Sequence, residues 1–206
     1  MKHLHKTIQP SLAMLLLFIG TVALLRVPNA AHYSWLANYT ALGAMALFGG
    51  AYFRSPIKAM LFPLLTLLVS DLIICNWVFD GKYGFIYSGW YVVYGIFLLI
   101  VGIGRYLLQK VNLPRLLGSS VVAALLHWFL ADGAVWLGGG TDLRTMLPLS
   151  KDWPGLLQCY TQGFPFMKNF LLGTITYSLL MFGLFEWLKA ARPHLVLLPV
   201  KSSSDE

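Results

Sequence analysis

The stretch Ala59-Met60-Leu61-Phe62-Pro63-Leu64-Leu65-Thr66-Leu67-Leu68-Val69-Ser70-Asp71-Leu72-Ile73-Ile74-Cys75 decides the class of this chain. It is an apolar run of membrane-spanning length with a single ionisable group. A helical span needs about 20 mainly apolar residues to cross about 30 Å of hydrocarbon. An acid inside such a run is costly and by default faces a cavity or a partner. Asp71 also lies four residues before Cys75, a spacing that puts both side chains on one helix face. The pair reads as a site opening toward one membrane surface, with Asp71 receiving a polar group and Cys75 at the floor or wall. The plainer alternative makes Asp71 an interhelical partner and Cys75 a small apolar filler.

The rest of the chain agrees with a membrane reading. Of 206 residues 58% are apolar and 11% charged, with mean hydropathy +0.69. Soluble domains carry about 25% charged residues, so this chain could not cover its own surface in water. Disorder, a disulfide-rich secreted scaffold and nucleic-acid binding are excluded on the same grounds. Six candidate spans fall near 8–25, 38–53, 57–75, 85–108, 116–137 and 166–188, giving one transmembrane domain over 1–206. The first resembles a signal peptide, but Arg26-Val27-Pro28-Asn29 stands where a small-residue cleavage site belongs, so a retained span is expected.

Basic residues set the orientation. Lys2, Lys6, Arg54, Lys58, Arg105, Lys110, Arg115, Lys189, Arg192 and Lys201 fall on one side, and Arg26, Lys82, Arg144, Lys151 and Lys168 on the other. This places both termini in the cytoplasm of a multi-pass bacterial inner-membrane protein and accounts for the net charge of +7 without a polyanion partner. A long outer loop is expected over 138–165, from Gly138-Gly139-Gly140 through Pro148, Pro154 and Pro165; such loops are more often functional than idle. Asp132 and His127 are five apart and do not share a face well, so His127 reads as a cross-helix contact. Glu186 reads as a surface partner of Lys189. Aromatic residues crowd the outer ends, among them Tyr39, Trp77, Tyr83, Tyr87 and Trp90. They imply an interfacial belt or an outward pocket for a large flat ligand. No nucleotide-binding, metalloprotease, serine-hydrolase or CxxC pattern occurs, and no repeat relates the two halves.

Three segments carry a resemblance: Ala44-Met45-Ala46-Leu47-Phe48-Gly49-Gly50-Ala51-Tyr52-Phe53, Ser70-Asp71-Leu72, and Cys159-Tyr160 followed by Pro165-Phe166 and Asn169-Phe170-Leu171-Leu172-Gly173. The chain resembles small bacterial six-helix membrane proteins similar to the S components of energy-coupling-factor (ECF) vitamin transporters, most of all the solitary cobalamin (vitamin B12) S components of the BtuM type. The resemblance implies an all-α, six-helix S-component-like bundle that binds its ligand near the outer surface. It implies Cys75 as axial ligand to the cobalt of cobalamin, a soft thiolate suited to a transition metal. It also implies a related cysteine-assisted removal of the upper cyano ligand, with cob(II)alamin formed when an electron is supplied. Cys159 competes for that role, a Cys75–Cys159 disulfide is a further alternative, and His32 is a second candidate ligand. Asp71, Tyr83, Tyr87 and Arg144 would line or close the site. Cobalamin enters as transported ligand, with no cofactor of the protein's own. The Ala-x-x-x-Ala patch with which S components dock a shared ECF module is missing from Ser11–Thr21, which sets this chain apart from the module-dependent members. The alternatives are a transporter of another small solute, with Cys75 incidental, and an accessory subunit of a membrane complex.

Overall fold

In a computed structural model, which describes residues 12–31 and 37–191, the chain is a bundle of six α-helices. They are α1 (Leu12–Ala31), α2 (Leu42–Tyr52), α3 (Pro56–Ile73), α4 (Trp90–Leu107), α5 (Leu113–Leu137) and α6 (Trp153–Ala191). A π-helical turn, Ile74–Val78, prolongs α3. Among the described residues the only β-pairing is an isolated bridge between Thr141 and Pro148. Among the described residues four helical segments are long and apolar enough to cross a membrane: Pro56–Val78, Trp90–Leu107, Leu113–Leu137 and Trp153–Ala191. The chain is an all-α membrane protein.

The helix starts follow from local chemistry. Ser55 caps α3 by accepting from the Lys58 N–H at 3.5 Å, with Pro56 at the first position, where its missing N–H costs nothing. Asn112 caps α5 by accepting from the Arg115 N–H at 3.0 Å. Gly89 takes the left-handed conformation (φ 81°) that turns the chain into α4.

At the centre lies α2. Its 11 residues span about 16 Å, half the hydrocarbon thickness, and Leu42 through Gly50 are all buried. A helix enclosed on every side has no use for a polar face, and this one has none. It is held by backbone contact. A Cβ on Gly50 would overlap the Val101 carbonyl oxygen, and one on Gly104 would overlap that of Leu47, so α2 and α4 meet with no side chain between them. Gly49 gives α3 the same access: its Cβ would come within 2.8 Å of the Ala59 carbonyl oxygen. That carbonyl is the one Pro63, four residues on, leaves without its helical donor. Phe48 fills the middle, with Phe18, Phe62, Phe182 and Phe185 around it at centroid distances of 5.3–6.2 Å.

Several sequence boundaries need correction: the second span, read as 38–53, is the shorter helix Leu42–Tyr52, and the sixth, read as 166–188, is the longer helix Trp153–Ala191. The first span, read as 8–25, runs to Ala31 in α1, so Arg26 lies inside the helix. The outer loop expected over 138–165 is only 138–152, because α6 begins at Trp153 and runs for 39 residues, about 58 Å. Pro154 falls in the first turn, where helices tolerate proline, and Asp152 anchors that turn by accepting from the Gly155 N–H at 2.8 Å. Pro165 is accommodated within the helix. The 138–152 segment folds back on itself through Leu149 N–H to Gly140 O and Asp142 N–H to Leu147 O, both 2.8 Å.

Two of the three glycines of α4, Gly102 and Gly104, should respond oppositely to one methyl group. Gly102→Ala, with open space around its Cβ, raises the thermal midpoint in detergent, consistent with about 0.5–1 kcal/mol of helix propensity. Gly104→Ala forces α2 and α4 apart and lowers it, by about 1–3 kcal/mol. Equal shifts would contradict the backbone contact.

Candidate functional site

A cavity of about 330 Å³ opens at the end of the bundle where α1 finishes and α2 starts. Arg26 of α1, Asn38, Tyr39 and Thr40 before α2, and Tyr87 before α4 contribute its polar atoms. Ile74, Val93, Phe97, His127 and Phe170 supply much of the apolar wall. The His127 ring stacks on Phe170 at 4.5 Å and 23° between planes, with Phe97 edge-on at 5.7 Å. Asn169 of α6 donates to the Ala37 carbonyl at 2.9 Å, fixing the segment that leads into α2.

One edge of the cavity is ionic. Arg26 Nη1 lies 2.8 Å from Asp71 Oδ1 and also donates to Ser70 Oγ. The other carboxylate oxygen, Oδ2, accepts from the Tyr94 hydroxyl at 3.2 Å. Asp71 is 2% exposed, so a charge that would be prohibitive alone is matched by a guanidinium and a phenol drawn from two other helices. Ser70 Oγ in turn contacts the Thr66 carbonyl at 2.6 Å. The result is a neutral, pre-oriented polar edge joining α1, α3 and α4.

The residues expected from sequence divide into three groups. Tyr87 lines the cavity and stands within electrostatic reach of Asp71, Arg26 and Cys75. Burial and then the Asp71 charge push its phenol above its ordinary range, so it remains a neutral hydroxyl. Cys75 is 3% exposed and is a free thiol in the π-helical turn, beside the cavity-lining Ile74 but not itself among the lining residues. Its carbonyl accepts from the Gly81 N–H at 2.9 Å. Tyr83 and Arg144 are not brought to the cavity. Tyr83 is exposed and packs edge-on against Phe79 at 5.1 Å. Arg144 is held on the outer turn by Asp142 at 2.9 Å, and its hydrogen bonds keep the Asp142 carboxyl below the usual range. His32 lies outside the described residues.

Cys159 is also free, so the disulfide alternative does not hold. Its Sγ lies 3.2 Å from the Asp132 carbonyl, on the seam between α5 and α6. Most of the aromatic residues expected at the outer ends are exposed, as a belt would be: Trp77, Phe85, Trp90 and Tyr91; among those in the described residues, Tyr39 and Tyr87 reach the cavity. Sequence reasoning missed Arg26, taken as a residue outside the first span; His127 is the cross-helix contact expected, through Phe97 and Phe170, and is in addition a cavity wall. Among the described residues no three His, Cys, Asp or Glu side chains converge as a metal site would require.

Removing one partner of the ion pair strands a buried charge. Arg26→Ala, which strands the buried Asp71, should cost about 3–5 kcal/mol of stability and Asp71→Ala less, because Arg26 is partly exposed at the cavity, whereas the double replacement Arg26→Met with Asp71→Leu recovers most of the loss. Thermal unfolding of the three variants in one detergent decides this; additive losses in the double variant would show that the pair is not coupled.

No curated protein and no solved structure matches the chain. A family model described as a family of unknown function, DUF6580, matches residues 6–195. The chain therefore belongs to the DUF6580 family.

Proposed function

We propose that this protein is a membrane solute-binding protein for uptake, six-pass and S-component-like in plan, whose ligand is a small, neutral, planar heteroaromatic molecule. The observation that carries this reading is the cavity itself. Its volume is at the lower end of the 300–1,000 Å³ typical of small-molecule sites, and its walls are aromatic rings bordered by a charge-compensated ion pair. Because Asp71 already neutralises Arg26, an anionic ligand would bring an unpaired charge into a low-dielectric site, whereas a neutral acceptor can take the remaining guanidinium N–H groups without that cost. Phe97, Phe170 and the His127 ring offer π-faces, while Tyr87 and Asn38 can read polar edges.

The basic end of the bundle, with Arg54, Lys58, Arg105, Lys110 and Arg115, is assigned to the cytoplasm of the inner membrane by the positive-inside rule. The cavity then opens outward, as an uptake protein requires. A second reading, cobalamin, is favoured by one observation: the free Cys75 thiol sits in a π-helical turn next to the cavity, a backbone irregularity frequent at functional sites. A corrinoid exceeds the cavity several-fold, so this reading requires it to sit over the mouth, with the 79–89 segment displaced to uncover the thiol.

A thermal-shift screen of the purified protein separates the two readings. The panel holds free nucleobases, neutral heteroaromatic vitamins and cyanocobalamin. A neutral planar compound at about 100-fold its dissociation constant should stabilise the wild type by about 2.7 kcal/mol and lose most of that effect in His127→Leu, with Cys75→Ala unaffected. Stabilisation by cyanocobalamin alone, with a shifted visible band lost in Cys75→Ala, would replace the proposal with the cobalamin reading. No stabilisation by any member, or stabilisation equal in His127→Leu, would reject this cavity as the binding site.

A further inference from the structure

A second concavity lies at the opposite, basic end of the bundle, where α4 ends and α5 begins, and its volume is about 470 Å³. Its polar surface comes from Gln109, Arg115 and Ser119, and its rim from Tyr106, Leu107 and Val122. No acidic residue lines it. Among the acids of the described residues only Glu186 sits at this end, where it is already engaged by Lys189 and by the Tyr52 hydroxyl at 2.6 Å.

Two polar groups here lack partners that their neighbours have. The Arg105 guanidinium donates to the Phe53 and Arg54 carbonyls at 3.3 and 2.8 Å. That of Arg115 makes no hydrogen bond or ion pair among the described residues; only its backbone N–H is used, by the Asn112 cap. Ser120 returns its hydroxyl to the Leu116 carbonyl at 2.9 Å, the ordinary helical arrangement. Ser119, 1% exposed, does not, and its Oγ has no partner among the described residues. A buried hydroxyl without a partner is costly, and this one lies in the wall of a cavity that also holds a free guanidinium. Gly118 keeps the approach open, with nothing within 4 Å of where its Cβ would be.

The rim indicates what carries the ligand. Tyr106, Leu107 and Val122 are all exposed and flank the concavity, the first two at the end of α4 and Val122 within α5, both helices long enough to span the membrane. A ligand seated here would have its polar part beside Arg115 and Ser119 and its apolar part along the outer surface of the bundle. We propose that this concavity binds the phosphate of an anionic phospholipid: Arg115 pairs with the phosphate oxygens, the Ser119 hydroxyl donates to one of them, and the rim carries the start of the acyl chains. Planar guanidinium suits phosphate bidentately, and basic pockets between membrane helices recognise such headgroups. This assignment is independent of the solute cavity.

The test uses the full chain, delipidated in neutral detergent, with three probes: dioleoylphosphatidylglycerol, dioleoylphosphatidylcholine and inorganic phosphate. The anionic lipid should raise the unfolding temperature by several degrees more than the zwitterionic one. Arg115→Gln should weaken its apparent affinity about tenfold or more and Ser119→Ala about fivefold, while Arg115→Lys retains part of it. Lys58→Gln, at the same end but outside the concavity, should leave the preference intact. Since Arg115 is exposed and its side chain has no partner among the described residues, Arg115→Gln without lipid should unfold at the wild-type temperature. Equal shifts from both lipids, or a lipid preference that survives Arg115→Gln, would overturn the site. Inorganic phosphate reproducing the whole anionic-lipid effect would overturn the lipid as its source.

Discussion

The ion pair between Arg26 and the buried Asp71 is the interaction on which the cavity end of the molecule depends. Two charges removed from water lose several kcal/mol each in hydration, and only close mutual contact with further hydrogen bonds can offset that loss. Here the offset comes from a 2.8 Å ion pair, from the Tyr94 hydroxyl and from Ser70. Because these groups belong to α1, α3 and α4, satisfying the charge fixes the relation of three helices at once. An all-apolar contact in lipid would fix it less well, since lipid tails compete equally for apolar surface.

Packing at the core works by a different rule. As a helix α2 is about half as long as the hydrocarbon is thick and is enclosed by other helices, and glycine lets it meet α4 and α3 backbone to backbone. This close approach leaves the first turn of α2 and the segment before it at the end of the bundle opposite the basic residues. There Phe97 of α4, His127 of α5 and Phe170 of α6 pack against one another as the wall of a cavity. The site is thus a consequence of a short central helix. The polar edge supplied by Arg26 and Asp71 then determines what chemistry that space favours.

Much of the architecture was legible because hydrocarbon imposes a simple demand: long apolar runs become helices with every backbone group satisfied. The third, fourth and fifth spans were located within a few residues on that basis alone. The errors arose where polar or helix-breaking residues occur inside helices. Arg26 and Pro28 looked like the end of α1, but the partner that stabilises Arg26 within the helix is 45 residues away and invisible to local pattern. Pro154 and Pro165 looked like loop residues, yet one sits in a first turn and the other is carried by a helix with long flanks. Asp71 was legible because an intramembrane acid is expensive wherever it occurs; its partner was not. His127, Phe97 and Phe170 come from three different helices, and only the packing of those helices makes them one wall.

The central claim is that the ion-paired cavity faces the membrane surface opposite the basic end of the bundle. Its most direct test is labelling with a membrane-impermeant maleimide of Thr40→Cys, in the cavity, and Lys58→Cys, at the basic end, each in a chain lacking Cys75 and Cys159. In intact spheroplasts Thr40→Cys should be labelled, and Lys58→Cys only after the membrane is disrupted. Labelling of both from the same side, or of Lys58→Cys alone in intact spheroplasts, would contradict the outward-facing site.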